Sequence, residues 1–307
     1  MRVKQYNQPW PRLLCVAVLH VQSLWRRKGM NLKDRLPRSG QDQRENAGLP
    51  EEHRYEIKTE ELIIRAGEKE IYGRIAYPVT DGKCPAVICS HGYNGTHEWY
   101  NPQCDMFAQH GIVAYCFDFC GGCTRSRSSG KSTDMTLFTE KQDLLQVIDY
   151  ISSMDRVDEH AVFLIGGSQG GIVTALAAEE RADQLKGIML YCPAFGIPDN
   201  WRGRFGADIP ETFDHWGLTL GKAFFTSMKD FSAYDHIGRF KGPVLIFQGD
   251  EDSVVPPESS YRAAQKYEHA EVILLKGEGH GISESGVAFA MNRMLRLIDE
   301  TRKRSAV

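Results

Sequence analysis

No apolar run in this chain approaches the roughly 18 residues that a membrane span needs, so no membrane partner is expected. Neither sign of charge is in large excess. With 37 Lys and Arg against 40 Asp and Glu the net charge is −3, which gives no reason to expect a nucleic-acid partner. A disulfide framework is also missing. The eight cysteines are scattered, several inside apolar runs such as Val87-Ile88-Cys89 and Ala114-Tyr115-Cys116, a distribution that reads as reduced, buried thiols of a cytoplasmic protein. Cys120-Gly121-Gly122-Cys123 is the one pair with metal or redox spacing. No second pair completes a zinc site and no thioredoxin-like context surrounds it, so neither metal nor cofactor is expected.

What is present is enough apolar residue for a large core. A length of 307 with 42% hydrophobic content suits one large or two small domains. Residues 1–50 differ from the rest. Leu13–Leu19 is flanked by Arg2, Lys4 and Arg12 and imitates a secretory signal, but it is short and runs into Trp25-Arg26-Arg27-Lys28 instead of a small-residue cleavage site. The first 50 residues read as a peripheral extension poor in order, with the domain in 51–307. Secretion is the alternative if residues 1–30 act as a signal.

From Tyr55 onward the pattern sharpens. Glu60–Arg65 and Glu70–Tyr77 predict an antiparallel hairpin turning at Ala66-Gly67-Glu68. Short apolar runs at Pro85–Ser90, Val113–Phe117, Ala161–Ile165, Lys186–Tyr191, Pro243–Gly249 and Ala270–Leu275 predict buried strands. Helical spacing predicts helices between them, over Glu98–His110, Thr139–Met154, the stretch to about Arg181, Pro257–Tyr267 and Ser285–Arg304. Buried strands alternating with helices mean a mostly parallel sheet covered on both faces. Residues 197–242 break the rhythm as an irregular, aromatic-rich insert.

In such sheets functional groups collect at the carboxyl ends of strands. One of these ends is Gly166-Gly167-Ser168-Gln169-Gly170-Gly171, between an apolar strand and an amphipathic helix. It matches the strand-to-helix turn that strains a serine and exposes its hydroxyl, with glycines where side chains would clash. A serine needs a base in hydrogen-bond reach and a group to orient that base. The next strand ends supply Asp250-Glu251-Asp252 and then Gly277-Glu278-Gly279-His280-Gly281. His280 is bracketed by glycines, an odd place for a core histidine. Asp250 and Glu251 compete with Asp252 as helix caps or surface ion pairs. Asp118 is expected to hold the 118–133 loop, and His91 to shape its own.

From about residue 55 to 305 the chain resembles the α/β-hydrolases, through four motifs in register: Ser90–Gly95 (S-H-G-Y-N-G), Gly166–Gly171, Gln248–Pro256 (Q-G-D-E-D-S-V-V-P) and Gly277–Gly281. Within them it is most similar to the cinnamoyl and feruloyl esterase-like and S9/S33 peptidase-like group. The resemblance implies an α/β-hydrolase fold with a small lid at about 197–242, and a carboxylic-ester hydrolase acting on a small-molecule ester. It implies Ser168 as nucleophile, His280 as base and Asp252 as orienting acid, with the N–H groups of Tyr93 and Gln169 as oxyanion hole. Asp199, Phe224 and His91 are the implied substrate contacts. Two departures stand out. Gly167 replaces a usual histidine and implies a more open pocket floor, and Phe224 stands where relatives offer a tyrosine, so an aromatic or short aliphatic acyl group fits the insert equally. The alternatives are an aminopeptidase-like or acyl-peptide hydrolase, with Asp208 and Glu211 as the one acidic pair for a free amine, and a non-catalytic binding protein on the same scaffold. Oligomeric state is not indicated.

Overall fold

The computed structural model describes residues 54–305, so the extension read at 1–50 lies outside the described residues. An eight-stranded sheet runs in the order β1-β2-β4-β3-β5-β6-β9-β10. The hairpin strands β1 (Ile57–Ala66) and β2 (Lys69–Pro78) enter antiparallel, and β2 also pairs antiparallel with β4 (Val113–Phe117). From β4 onward the pairs are parallel, through β3 (Cys84–Ser90), β5 (Val157–Gly167), β6 (Leu185–Tyr191), β9 (Val244–Gly249) and β10 (Ala270–Leu275).

The continuous apolar runs follow from this position. Successive side chains of a strand point to opposite faces, so a central strand with both faces covered has no polar alternation to show. In β3 Ala86 and Ile88 join one core while Val87 and Cys89 join the other, and in β9 Ile246 and Phe247 divide the same way. One face is covered by α2 (Leu137–Ser152) and α3 (Gln169–Glu180), through Leu144, Ile148, Ile172 and Val173. The other is covered by α1 (Asn101–Gln109) and α7 (Glu284–Ser305), through Phe107, Met291 and Ile298. The seven described cysteines are all unpaired and buried.

Two expectations need correction here. The helix expected from Glu98 starts later, because a 3-10 turn at His97–Tyr100 precedes α1, whose second residue is Pro102. Proline lacks the N–H that an interior position would use and is suited to a first helical turn. The 197–242 insert is not irregular. It holds α4 (Ile197–Trp201), a hairpin of β7 (Thr212–His215) and β8 (Leu218–Gly221), and α5 (Lys222–Thr226). Several of its rings pack edge to face: Trp201 meets Phe225 at 4.9 Å and Phe213 at 5.8 Å, and Phe205 meets Phe225 at 5.0 Å. A hairpin of four-residue strands cannot stand alone, and its Leu218 and Leu220 are buried in the main core. Helix α6 (Pro257–Ala264) precedes β10.

Candidate active site

The turn after β5 shows why its glycines are there. Ser168 has φ 52° and ψ −118°, a conformation that a side-chain-bearing residue adopts only under strain. Three backbone bonds hold it: its N–H donates to Tyr191 O at 2.8 Å, and its carbonyl accepts from Gly171 N at 3.0 Å and Ala194 N at 2.9 Å. A Cβ at Gly170 would fall into the carbonyl oxygens of His91 and Ser90, and one at Gly166 into Gly170 and the Thr174 hydroxyl. Gly170→Ala therefore forces β3 and the turn apart, since backbone cannot swing aside. The expected result is a destabilisation of about 3 kcal/mol or more, read as a fall in the denaturant midpoint at unchanged slope.

The structure brings Ser168, His280 and Asp252 together. His280 Nε2 lies 3.0 Å from Ser168 Oγ, and His280 Nδ1 lies 2.8 Å from Asp252 Oδ2. Both gaps lie within hydrogen-bond reach, with His280 half-buried and Asp252 buried. The choice among the three acids is geometric. Asp250 accepts from Gly277 N at 2.7 Å and so shapes the turn before His280, while Glu251 is exposed. Asp252 is held from several directions, accepting from Val254 N at 2.9 Å, Val255 N at 2.8 Å and Gln248 Nε2 at 3.2 Å. Burial alone would raise its pKa, but the hydrogen bonds from His280 and from the Val255 and Val254 N–H groups outweigh it and hold the carboxyl below its ordinary value. Gly249, at the end of β9, lies where a Cβ would meet the carbonyls of Glu278 and Gly279. Its bare backbone lets the His280 loop cross there.

The loop after β3 closes over the serine. A methyl group at Gly92 would sit 3.0 Å from Ser168 Cβ and 3.4 Å from Trp99 Cζ3. Gly92 and Gly95 form a turn closed by Gly95 N to Gly92 O at 3.0 Å. The N–H groups of Tyr93 and Gln169 donate to no backbone carbonyl among the described residues, and Gln169 opens α3, where peptide dipoles favour negative charge. Tyr93 and Asn94 are tied to the insert. Tyr93 Oη donates to His215 O at 2.7 Å, and Asn94 Nδ2 donates to Trp216 O at 3.3 Å.

Three expected substrate contacts are used within the protein instead. His91 is 1% exposed; its Nδ1 donates to Gly92 O at 2.7 Å and its Nε2 accepts from Phe119 N at 3.1 Å. Burial lowers its pKa, in keeping with that neutral tautomer. It shapes the loop, with both ring nitrogens taken by backbone groups. Asp199 forms ion pairs with Arg202 at 3.0 Å and Arg262 at 3.5 Å. Phe224 is 1% exposed and packs against Trp201 and Phe225. The open floor expected at Gly167 is likewise filled. A Cβ there would lie 2.8 Å from the hydroxyl of buried Tyr100, so a distant tyrosine takes the space that a side chain at 167 would need. Asp118 does hold its loop, accepting from His97 N and Nδ1, both at 2.8 Å, and from Arg127 N at 2.9 Å.

Sequence reasoning missed Gln248, which donates to Asp252 and accepts from Ser260 Oγ at 2.6 Å. Its signal was its place immediately before Gly249-Asp250. Trp99 was missed as well, having no signal beyond an unexplained aromatic, and it is 54% exposed. Among the described residues, Cys192, Asp252 and His280 bring ligand-capable atoms within 4.8 Å of one another. Burial pushes the Cys192 thiol up to about 12, and a metal binds the thiolate, so this donor set is a poor fit for an ion. Two surface grooves open instead at the amino ends of the strands, one lined by Val244 and Ala270 and the other by His160 and Lys186. Ser168 stands at the opposite, carboxyl end of the sheet. No helix among the described residues is long and apolar enough to cross a membrane.

Comparison with known proteins agrees with this architecture. Residues 82–229 match the serine aminopeptidase S33 family, and residues 230–298 match the TAP-like protein family. Among solved structures, the ferulic-acid complex of Est1E from Butyrivibrio proteoclasticus superposes with a TM-score of 0.69 at 25% identity, covering 78% of this chain and 99% of that one. An acetyl xylan esterase from Paenibacillus sp. R4 has a TM-score of 0.62 at 18% identity, covering 82% of this chain and 86% of that one. A monoacylglycerol lipase from Paleococcus ferrophilus has a TM-score of 0.57 at 21% identity, covering 75% and 99%. The last two identities speak for the fold alone.

Proposed function

We propose that this chain, which belongs to the α/β-hydrolase superfamily, is a serine hydrolase that cleaves the carboxylic ester of a small or aromatic acyl group through an acyl-enzyme. The observation that carries this reading is the chain of contacts from Ser168 Oγ through His280 to Asp252, at 3.0 Å and 2.8 Å. As Ser168 Oγ attacks the ester carbonyl carbon, its proton passes to His280 Nε2. The imidazolium so formed is stabilised by Asp252, which stays ionised. The carbonyl oxygen becomes an oxyanion facing the N–H groups of Gln169 and Tyr93, each such donor being worth about 3–4 kcal/mol. When the tetrahedral intermediate collapses, His280 returns the proton to the departing alcohol and Ser168 keeps the acyl group. Water, deprotonated by His280, then attacks the acyl carbon, and His280 passes that proton to Ser168 Oγ as the acyl–oxygen bond breaks and the carboxylic acid is released.

Two exposed indoles favour an apolar acyl group. Trp99 borders Gly92, and Trp216, 59% exposed, stacks beside His215 and lies 6.2 Å from the Tyr93 ring. The S33 match raises an aminopeptidase as the second reading. That chemistry needs a pair of acids free to hold an amine; of the expected pair Asp208 and Glu211 both are exposed, and Glu211 is already paired with Lys222 at 2.6 Å. We place the lid role in residues 197–242, which hold Tyr93 and Asn94 through the hairpin tip.

A fluorophosphonate probe tests the nucleophile directly. It is expected to label the chain once, on the peptide carrying Ser168, and intact protein without the label overturns the proposal. A matched ester and amide of one acyl group separates the two readings, the ester being the faster by at least about 100-fold if esterase chemistry holds.

A further inference from the structure

We infer that Glu140 is a positioning residue for the oxyanion side of the elbow: by accepting the side-chain amide of Gln169 it fixes the residue whose backbone N–H faces the developing charge. The inference rests on the serine-hydrolase reading above. Gln169 is 1% exposed, and its Nε2 donates to Glu140 Oε2 at 2.8 Å and lies 3.8 Å from Met135 Sδ. Glu140 itself is 1% exposed, on the first turn of α2. A carboxyl buried on a core-facing helix position destabilises the fold unless a specific contact needs it, and apolar residue would serve packing better. Its contact is with the residue next to the nucleophile, in a turn already strained at Ser168. Its other oxygen is 3.3 Å from where a Cβ on Gly122 would lie, so the 118–133 loop closes over it.

The charged and titratable neighbours are few. Asp143 stands one turn along the same helix, bonded to Lys69 of β2 at 2.9 Å and to the Cys120 N–H at 2.9 Å. Tyr93 faces it from the loop after β3, its own pKa raised by burial and then by Glu140. Burial, with a smaller push from Asp143 and against the Gln169 bond, raises the Glu140 pKa to about 8. Burial raises the thiol of Cys120 to about 12. Burial thus favours the neutral acid of Glu140, and a buried negative charge appears as pH rises through about 8. A negative charge behind the oxyanion donors opposes the oxyanion. The same proton links to stability with a fixed sign. The raised pKa contributes stability that is full below the ordinary 4.5 and is lost as pH rises through about 8.

The test compares wild type, Glu140→Gln, Glu140→Ala and Ser168→Ala on p-nitrophenyl acetate from pH 6 to 10, with spontaneous hydrolysis subtracted. Wild type is expected to lose several-fold in kcat above pH 8. Glu140→Gln, which keeps an acceptor for Gln169 without the proton, is expected to lack that alkaline decline. Glu140→Ala is expected to lower kcat about tenfold at pH 7 with KM little changed, and Glu140→Gln to recover most of that loss. In thermal melts the gain of Glu140→Gln over wild type should grow from pH 5 to pH 9. An alkaline limb identical in wild type and Glu140→Gln overturns the inference, as does a wild-type kcat in folded Glu140→Ala. If Glu140→Ala does not fold, the pH profile of Glu140→Gln decides. Equal turnover by wild type and Ser168→Ala would instead overturn the serine-hydrolase reading, so the two failures are distinct.

Discussion

Replacing Ser168 with alanine is expected to lower kcat for p-nitrophenyl acetate and butyrate on the order of 10⁶-fold, since members of such a constellation act as a unit. The fold should survive the change. Ser168 makes its three holding bonds through backbone N–H and carbonyl groups, none of which alanine removes, and among the described residues its side chain bonds to His280 alone. The melting temperature should therefore move little while turnover disappears and fluorophosphonate labelling is lost. Turnover within tenfold of wild type would sink the assignment of Ser168, and with it the acyl-enzyme.

The second large effect is expected at Asp252. Asp252→Asn should lower kcat about 10⁴-fold, because an amide facing His280 Nδ1 stabilises the wrong tautomer and cannot offset the imidazolium charge. Asp250→Asn is the matched control. Its carboxylate faces the Gly277 N–H and not the imidazole, so its loss should weaken the turn and leave most of kcat. Equal losses from both variants would show that the 250–252 turn acts through loop geometry alone. Asp252 also carries a defined pH dependence of stability. Its pKa is held below the ordinary 3.8, so its contribution is complete above that value and is lost as pH falls through the lower folded one. Unfolding followed from pH 6 to pH 2 should show wild type losing more stability in acid than Asp252→Asn.

Much of this was legible in the chain because periodicity is local. Ile88, Leu164 and Ile246 lie in unbroken apolar runs since each strand is covered on both faces. The elbow could be recognised because part of its steric demand acts within a few residues: a Cβ on Gly166 would fall into Gly170 and Thr174, whereas the clash at Gly170 is with Ser90 and His91 of another segment. The glycine-bracketed His280 and the acids after β9 were visible for the same reason. The insert was harder to read. Its strands are four residues long and are stabilised by rings elsewhere in the insert, such as Phe205 on Phe225, so no local pattern announced them.

The elbow, the succession of buried strands along the chain and the short set of polar candidates were thus determined by the sequence itself, through the pleat and the clash rules of single strands and turns. Which candidates meet was decided by tertiary structure. Asp252 rather than Asp250 faces His280 because the 249–252 turn and the 277–280 loop cross at a bare glycine. His91, Asp199 and Phe224 are taken up by Phe119, by two arginines and by Trp201, partners 20 residues or more away in all but Arg202. Tyr100 occupies the space beside Gly167, and Glu140 meets Gln169 across two helices. Buried space and hydrogen-bonding capacity are shared among segments that only the assembled sheet brings together, and at this site that sharing decides which side chains are left to face a substrate.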